Sequence, residues 1–115
     1  KTSKKKSIEL FGDGTPLRQF MHARDVARII CIMIDKDKYL NMNIATDENY
    51  TVAKIAKIAL KVCDAEYLKI KYNSDRPNGQ MRKDIDTSIF KKNFPNLDLT
   101  LLSQGIKEIY EKLKK

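Results

Sequence analysis

Gly12-Asp13-Gly14-Thr15-Pro16-Leu17-Arg18-Gln19-Phe20-Met21-His22-Ala23-Arg24-Asp25-Val26-Ala27 is the stretch on which the fold turns. Two glycines and a proline in close succession break extended structure, because glycine reaches backbone angles closed to other residues and proline withholds a donor. Leu17 to Met21 can then resume an extended path. Asp25 is the expected N-cap of a helix to about Lys36, since Val26, Ile29, Ile30, Met33 and Ile34 recur at helical spacing. Ala27, Cys31 and Ile32 widen its apolar face, so the helix is expected to be nearly surrounded by protein.

Upstream of the break, Ser7 to Phe11 reads as a short strand. Downstream, Asn43 to Thr46 is a brief strand candidate, and Asp47-Glu48-Asn49 is a turn signal before Thr51, an expected N-cap. The helix from Val52 to Cys63 then carries Val52, Ile55, Ala56, Ala59 and Val62 on one side, leaving Lys54, Lys57 and Lys61 on a solvated face. Tyr67 to Tyr72 alternates Leu68, Ile70 and Tyr72 with Lys69 and Lys71, the period of a half-buried strand. Asn73 to Lys83 follows as a polar loop. Asp86 is expected to cap a short helix through Ile89 and Phe90 that stops before Pro95, and Thr100 to cap a last helix with Leu102, Ile106, Ile109 and Leu113 as its buried stripe. Strands and helices in this order belong to an α/β layer architecture: a small mixed sheet with packed helices.

With 115 residues and 42% hydrophobic content, one modest domain spanning 1–115 is the expectation. Lys plus Arg total 23 against 15 Asp plus Glu, and the net charge of +8 favours anionic partners. Part of the excess lies at the ends, in Lys1, Lys4, Lys5 and Lys6 and in Lys112, Lys114 and Lys115, and residues 1–6 read as a flexible basic tail. Cys31 and Cys63 sit in helix-like apolar patterns without a metal-ligand neighbour, so both are expected to be buried free thiols in a reducing, cytoplasmic setting. No membrane span or signal peptide is evident. The chain opens on Lys1 and enters a strand-like stretch almost at once, as expected of a piece of a longer protein.

Four cations stand beside turn formers: Arg18 after the double-glycine break, and Arg76, Arg82 and Lys83 around Pro77-Asn78-Gly79. Arg18 has the planar fork suited to a diphosphate, and Lys83 can act as a point charge on a phosphate. Their plain alternatives are an exposed strand Arg after a hairpin turn and a solvated basic loop. His22, the one histidine, reads as a structural hydrogen-bonding group in the turn before the helix. A lone Gly12-x-Gly14 is not a dinucleotide fingerprint.

The segment from Gly12 to Ala27 resembles the G-x-G-x-x-x-R-[DE]-F-x-H-V-x-D-x-A segment of extended short-chain dehydrogenases acting on nucleotide sugars. Asn43-Ile44-Ala45-Thr46 is similar to the strand that follows it, and Thr51 to Ala59 to the next helix. Arg76-Pro77-Asn78-Gly79-Gln80-Met81-Arg82-Lys83 with Asp86 is most similar to the P-D-G-x-x-R-K-x-x-D stretch of GDP-L-fucose synthases. The resemblance runs from about Ile8 to Lys112 and implies the C-terminal substrate-binding part, without the N-terminal Rossmann cofactor domain. By motif position it implies that Arg18 holds the diphosphate, Lys83 binds the phosphate or nucleotide end, Phe11 occupies an aromatic position near the substrate and Asn78 lies beside the nucleotide. Phe11 stands where the family has Trp, and Asn78 where it has Asp.

The same resemblance implies NADP as cofactor of the complete enzyme, bound by a G-x-x-G-x-x-G turn that this chain lacks. It also places the catalytic Ser, the Tyr-x-x-x-Lys pair and the epimerase Cys and His outside these residues. The helix from Asp25 would pack on the cofactor half, so its apolar face is expected to seek a partner: the N-terminal half or a second copy of the chain. The expected ligand is a nucleotide-diphosphate sugar, in the first place a GDP-sugar, with epimerisation and reduction as the complete enzyme's reaction. Another nucleotide-sugar epimerase or 4,6-dehydratase is the alternative within the class. Outside it stand a basic nucleic-acid-binding module, disfavoured because the few aromatics form no stacking platform, and a purely structural assembly domain.

Overall fold

In the computed structural model, which describes residues 6–36 and 41–114, the alternating stretch Ser7–Phe11 forms β1 and Lys69–Asn73 forms β4. The two pair in parallel, Ile8 opposite Ile70 and Phe11 opposite Asn73. Leu17–Arg18 is a short β2 that pairs antiparallel with β3, Tyr50–Thr51. The double-glycine break therefore makes no hairpin; it carries the chain from one two-stranded sheet to the other. Four helices complete the order: α1 Ala23–Asp35, α2 Val52–Val62, α3 Ser88–Asn93 and α4 Leu102–Leu113. The expected basic tail lies almost wholly outside the described residues.

Helix starts depart from expectation in an instructive way. His22, not Asp25, caps α1: its Nδ1 accepts from the Arg24 N–H at 3.1 Å. Asp25 sits in the first turn, buried, and accepts from the Thr100 N–H at 2.7 Å. Thr100 does not cap α4 either, whose N-cap is Leu101 with no side-chain bond. Asp86 stands one residue before the α3 N-cap, Thr87, and accepts from the Ser88 N–H at 2.9 Å. Thr51 does cap α2, accepting from Lys54 N–H at 3.1 Å. Asn43 to Thr46 forms no strand; Asn43 instead donates its amide to the Asp86 carbonyl.

These contacts dock the start of α1 on the start of α4. Arg24 and Glu108 make a two-pronged ion pair at 3.0 Å on each arm, Arg28 donates to the Asp98 carbonyl, and Gly105 lets the His22 ring lie against α4, where a methyl group would stand 3.0 Å from Cδ2. Burial alone would raise the Asp25 carboxyl, but hydrogen bonds from Thr100, with Arg28 and His22 nearby, hold it below its ordinary value. Glu108 is likewise held low, first by the hydrogen bond from Arg24.

Little of the apolar content is enclosed. Ile29, Ala45 and Phe90 are the buried hydrophobic side chains among the described residues, and Pro16 is fully buried as well. The accessible surface is 8889 Å², where a closed globular chain of this mass exposes about 6,500 Å². The radius of gyration, 17.2 Å, likewise exceeds the roughly 13 Å of a compact chain this long. On α1, Ala23, Ala27, Ile30, Cys31 and Ile34 form an open stripe, and Ile34 is 71% exposed. The helix is thus not surrounded, and Cys31 is exposed rather than buried. On α4, Ile109 and Leu113 of the expected stripe are also open. No helix among the described residues is long and apolar enough to cross a membrane.

Candidate nucleotide-sugar site

The loop after β1 and the loop after β4 close on each other as a seam. At its head, the Asn73 carbonyl accepts from both Gly12 N–H, at 2.8 Å, and Arg76 N–H, at 3.2 Å. The Asn73 side chain accepts from Asp75 N–H and donates to Glu9, so this one residue ties strand and loop together. Next, the Asp13 N–H donates to Asn78 Oδ1 at 2.8 Å. At the far end, Leu17 N–H donates to the Met81 carbonyl at 2.8 Å, beside Arg18.

Glycine is required where the loops touch. Gly12 has φ +75°, and a methyl group there would lie 1.9 Å from Asn78 Oδ1. Gly14, at φ +78°, has Tyr72 where its side chain would be. The carbonyls of Gly14 and Pro16 accept from the Ala53 and Val52 N–H groups at 2.9 Å each, which occupies donors at the start of α2. Those amides are consequently closed to an anion.

Arg18 Nη1 donates to its neighbour Leu17's carbonyl at 2.6 Å and to Gln80's carbonyl at 2.8 Å. One arm of the fork is thereby anchored, and its orientation set, while Nη2 lies beside Gly79, which stands at φ +69°. Phe11, 62% exposed, has the Arg76 guanidinium 5.6 Å above its ring centroid. Asn78 is half-buried and its carbonyl oxygen is taken by the seam. Arg82 is paired with Asp84, whereas Lys83 is exposed and makes no ion pair among the described residues. Asp13 is held low, first by the Thr15 hydroxyl and then by the Thr15 N–H, so its charge is turned back into its own loop.

Phe11, Arg18 and Asn78 are thus brought onto one seam, and Lys83 follows two residues after Met81. The sequence marks Asn73 only as the start of a polar loop. An Asn ending an alternating strand is a turn-former whose side chain bonds the backbone two residues on, and that signal marks it. Gln80 contributes through its backbone carbonyl and carries no sequence signal.

A family model described as GDP-mannose 4,6 dehydratase matches residues 1–114. The chain belongs to this family. It is 29% identical over 90 residues to GDP-L-colitose synthase of Yersinia pseudotuberculosis, covering 76% of this chain and 29% of that protein. A GDP-L-fucose synthetase from Naegleria fowleri superposes with a TM-score of 0.80 at 22% identity, over 90% of this chain and 32% of that one. A GDP-6-OMe-4-keto-L-xylo-heptose reductase from C. jejuni superposes with a TM-score of 0.76 at 27% identity, over 97% and 34%. This member of the GDP-mannose 4,6 dehydratase family therefore spans about a third of the length of its relatives. The likeness bears out the extended short-chain dehydrogenase fold read from the Gly12 to Ala27 segment.

A further structure of the Naegleria protein holds NADP. In this family member, the space above Gly12 and Gly14 is filled by Asn78 and Tyr72. The Tyr-x-x-x-Lys spacing, expected to lie outside the chain, occurs three times, at Tyr50/Lys54, Tyr67/Lys71 and Tyr110/Lys114. A tyrosine acting as acid and base needs its hydroxyl made more acidic by the neighbouring cation. Tyr50 is pushed the other way by its hydrogen bond to Glu48, with Lys54 stacked over its ring. Tyr110 donates to the Cys63 carbonyl at 3.3 Å, with Lys114 over its ring, and Tyr67 precedes β4 on the surface.

Proposed function

We propose that this chain is the C-terminal, nucleotide-sugar-binding part of a GDP-L-fucose synthase-like enzyme, one that converts GDP-4-keto-6-deoxy-mannose to GDP-L-fucose with NADPH. The observation that carries the reading is the anchored guanidinium of Arg18, fixed by the Gln80 carbonyl at a seam lined by two glycine-bearing loops. In this role Arg18 grips the diphosphate through its unanchored edge, Lys83 supplies a second charge, Phe11 meets the ligand and Asn78 shapes the floor beside the nucleotide. A guanidinium held in place loses less freedom on gripping phosphate than a loose one. Hydride chemistry belongs to the cofactor half, which we propose covers the open face of α1, and the 1–115 chain acts as one binding domain.

A second reading, part of a 4,6-dehydratase, is favoured by the description of the family model itself. The binding role assigned to each residue is common to both readings.

Calorimetric titration of GDP and GDP-sugars, with an oligonucleotide as control, tests the assignment. Arg18→Ala removes charge-assisted hydrogen bonds and is expected to weaken GDP about tenfold or more. Lys83→Ala, a single exposed point charge, is expected to weaken it less. Tight GDP binding indifferent to both substitutions would refute the site. Preferential, steeply salt-dependent uptake of the oligonucleotide would replace it with a nucleic-acid module.

A further inference from the structure

We propose that Arg76 is a positioning residue of this site: it holds the Phe11 ring so that the aromatic surface meets an apolar face of the bound nucleotide sugar. The inference rests on the binding role proposed above and adds a residue to it.

Three observations carry it. First, the guanidinium lies 5.6 Å from the Phe11 centroid, within the range of attraction between a cation and an aromatic face. Second, the two residues hang from one point: Phe11 is opposite Asn73 in the strand register, and the Asn73 carbonyl accepts from Gly12, next to Phe11, and from Arg76 itself. Pro77 follows and narrows the backbone freedom of Arg76. The contact is therefore rooted in the backbone at both ends, unlike two long side chains that happen to meet. Third, Arg76 makes no ion pair among the described residues, whereas Arg82 in the same loop is paired with Asp84. Among the described residues nothing else recruits its charge, and the ring is what it holds.

A large aromatic side chain left 62% exposed beside the seam has little reason to stand still unless it is pinned. Pinning it beforehand removes rotamer freedom that ligand binding would otherwise have to remove. Aromatic faces accept flat apolar surfaces, and a nucleotide sugar offers two: the base plane and the C–H face of the hexose.

A double-substitution cycle tests the pair, read as affinity for GDP and for GDP-mannose on the full chain. Arg76→Gln and Phe11→Leu are each expected to weaken binding about two- to fivefold. The double variant should be no weaker than the poorer single one, with melting midpoints unchanged because both positions are exposed. Arg76→Lys, which keeps a cation above the ring, should recover part of the loss. A loss already present with GDP places the ring against the nucleoside, and one confined to GDP-mannose places it against the hexose; either supports the proposal. Multiplying losses in the double variant would show Arg76 acting independently of Phe11 and overturn it. If Arg76→Gln binds normally while Arg18→Gln fails, Arg76 drops out and the binding role of the seam stands. If the unsubstituted chain takes up neither ligand at millimolar concentration, both fall together.

Discussion

Asp25→Ala should uncouple α1 from α4. Its carboxylate is buried at 3% exposure and accepts the Thr100 N–H at 2.7 Å, with Arg28 a further 3.7 Å contact. A hydrogen bond to a charged acceptor contributes roughly 1.5–3 kcal/mol, and removing the acceptor leaves the Thr100 N–H without its partner. We therefore expect a loss of about 2–3 kcal/mol, and for a chain of this size a fall in melting midpoint of roughly 10 °C. The assay is denaturant unfolding followed by far-ultraviolet circular dichroism, with the slope checked so that a change in midpoint reports stability. The pH dependence has a definite sign. The folded carboxyl is held below its ordinary value of about 4, so its contribution is complete above that value and fades as pH falls through the folded one. Asp25→Asn keeps an acceptor but no charge, and should lose less at neutral pH and show a flatter acid limb. A loss for Asp25→Ala under about 0.5 kcal/mol, the range of ordinary surface changes, would refute the docking role.

Gly12→Ala should disrupt the seam, because φ is +75° and the added carbon would meet Asn78 Oδ1 at 1.9 Å; we expect a stability loss of about 1–3 kcal/mol, and unfolding at the unsubstituted midpoint would contradict the geometry. The open stripe on α1 predicts self-association of the isolated chain, read by light scattering across dilution, and Ile34→Glu should shift it toward monomer with stability changed by no more than about 0.5 kcal/mol. A monodisperse monomer from the unsubstituted chain would count against that surface.

Local signals in the sequence were sufficient for most elements. The bounds of Ser7–Phe11 are legible to the residue, and the Thr51 cap and the lysine face of α2 follow from side-chain chemistry within a few positions. Failures arose where a distant partner competes for a local group. Asp25 has the composition of a cap, but Thr100 claims its carboxylate across 75 positions, and the cap falls to His22. Thr100 is no cap because the helix begins one residue later, with Leu101 at its N-cap. Asn43 to Thr46 has strand composition, yet the ladder partner of β2 is Tyr50–Thr51. Burial on α1 and α4 is not legible in the sequence, because amphipathic spacing says which face is apolar without saying what covers it. In the site, glycines, cations and the aromatic were legible as types. The anchoring of Arg18 by Gln80 was not, since a backbone carbonyl is common to every residue.

The seam joins positions 62 to 65 residues apart, Arg18 to Gln80 and Asp13 to Asn78. Closing so long a loop costs chain entropy that must be given up before these contacts exist. A ligand bridging both edges then works as a zip fastener: it adds stability to the finished fold in proportion to the logarithm of its concentration over its dissociation constant, and it slows the parting of the two edges. In the binding role proposed for the seam, the ligand is in that sense also a seal on the fold, and how tightly the two loops shut is set by what lies between them.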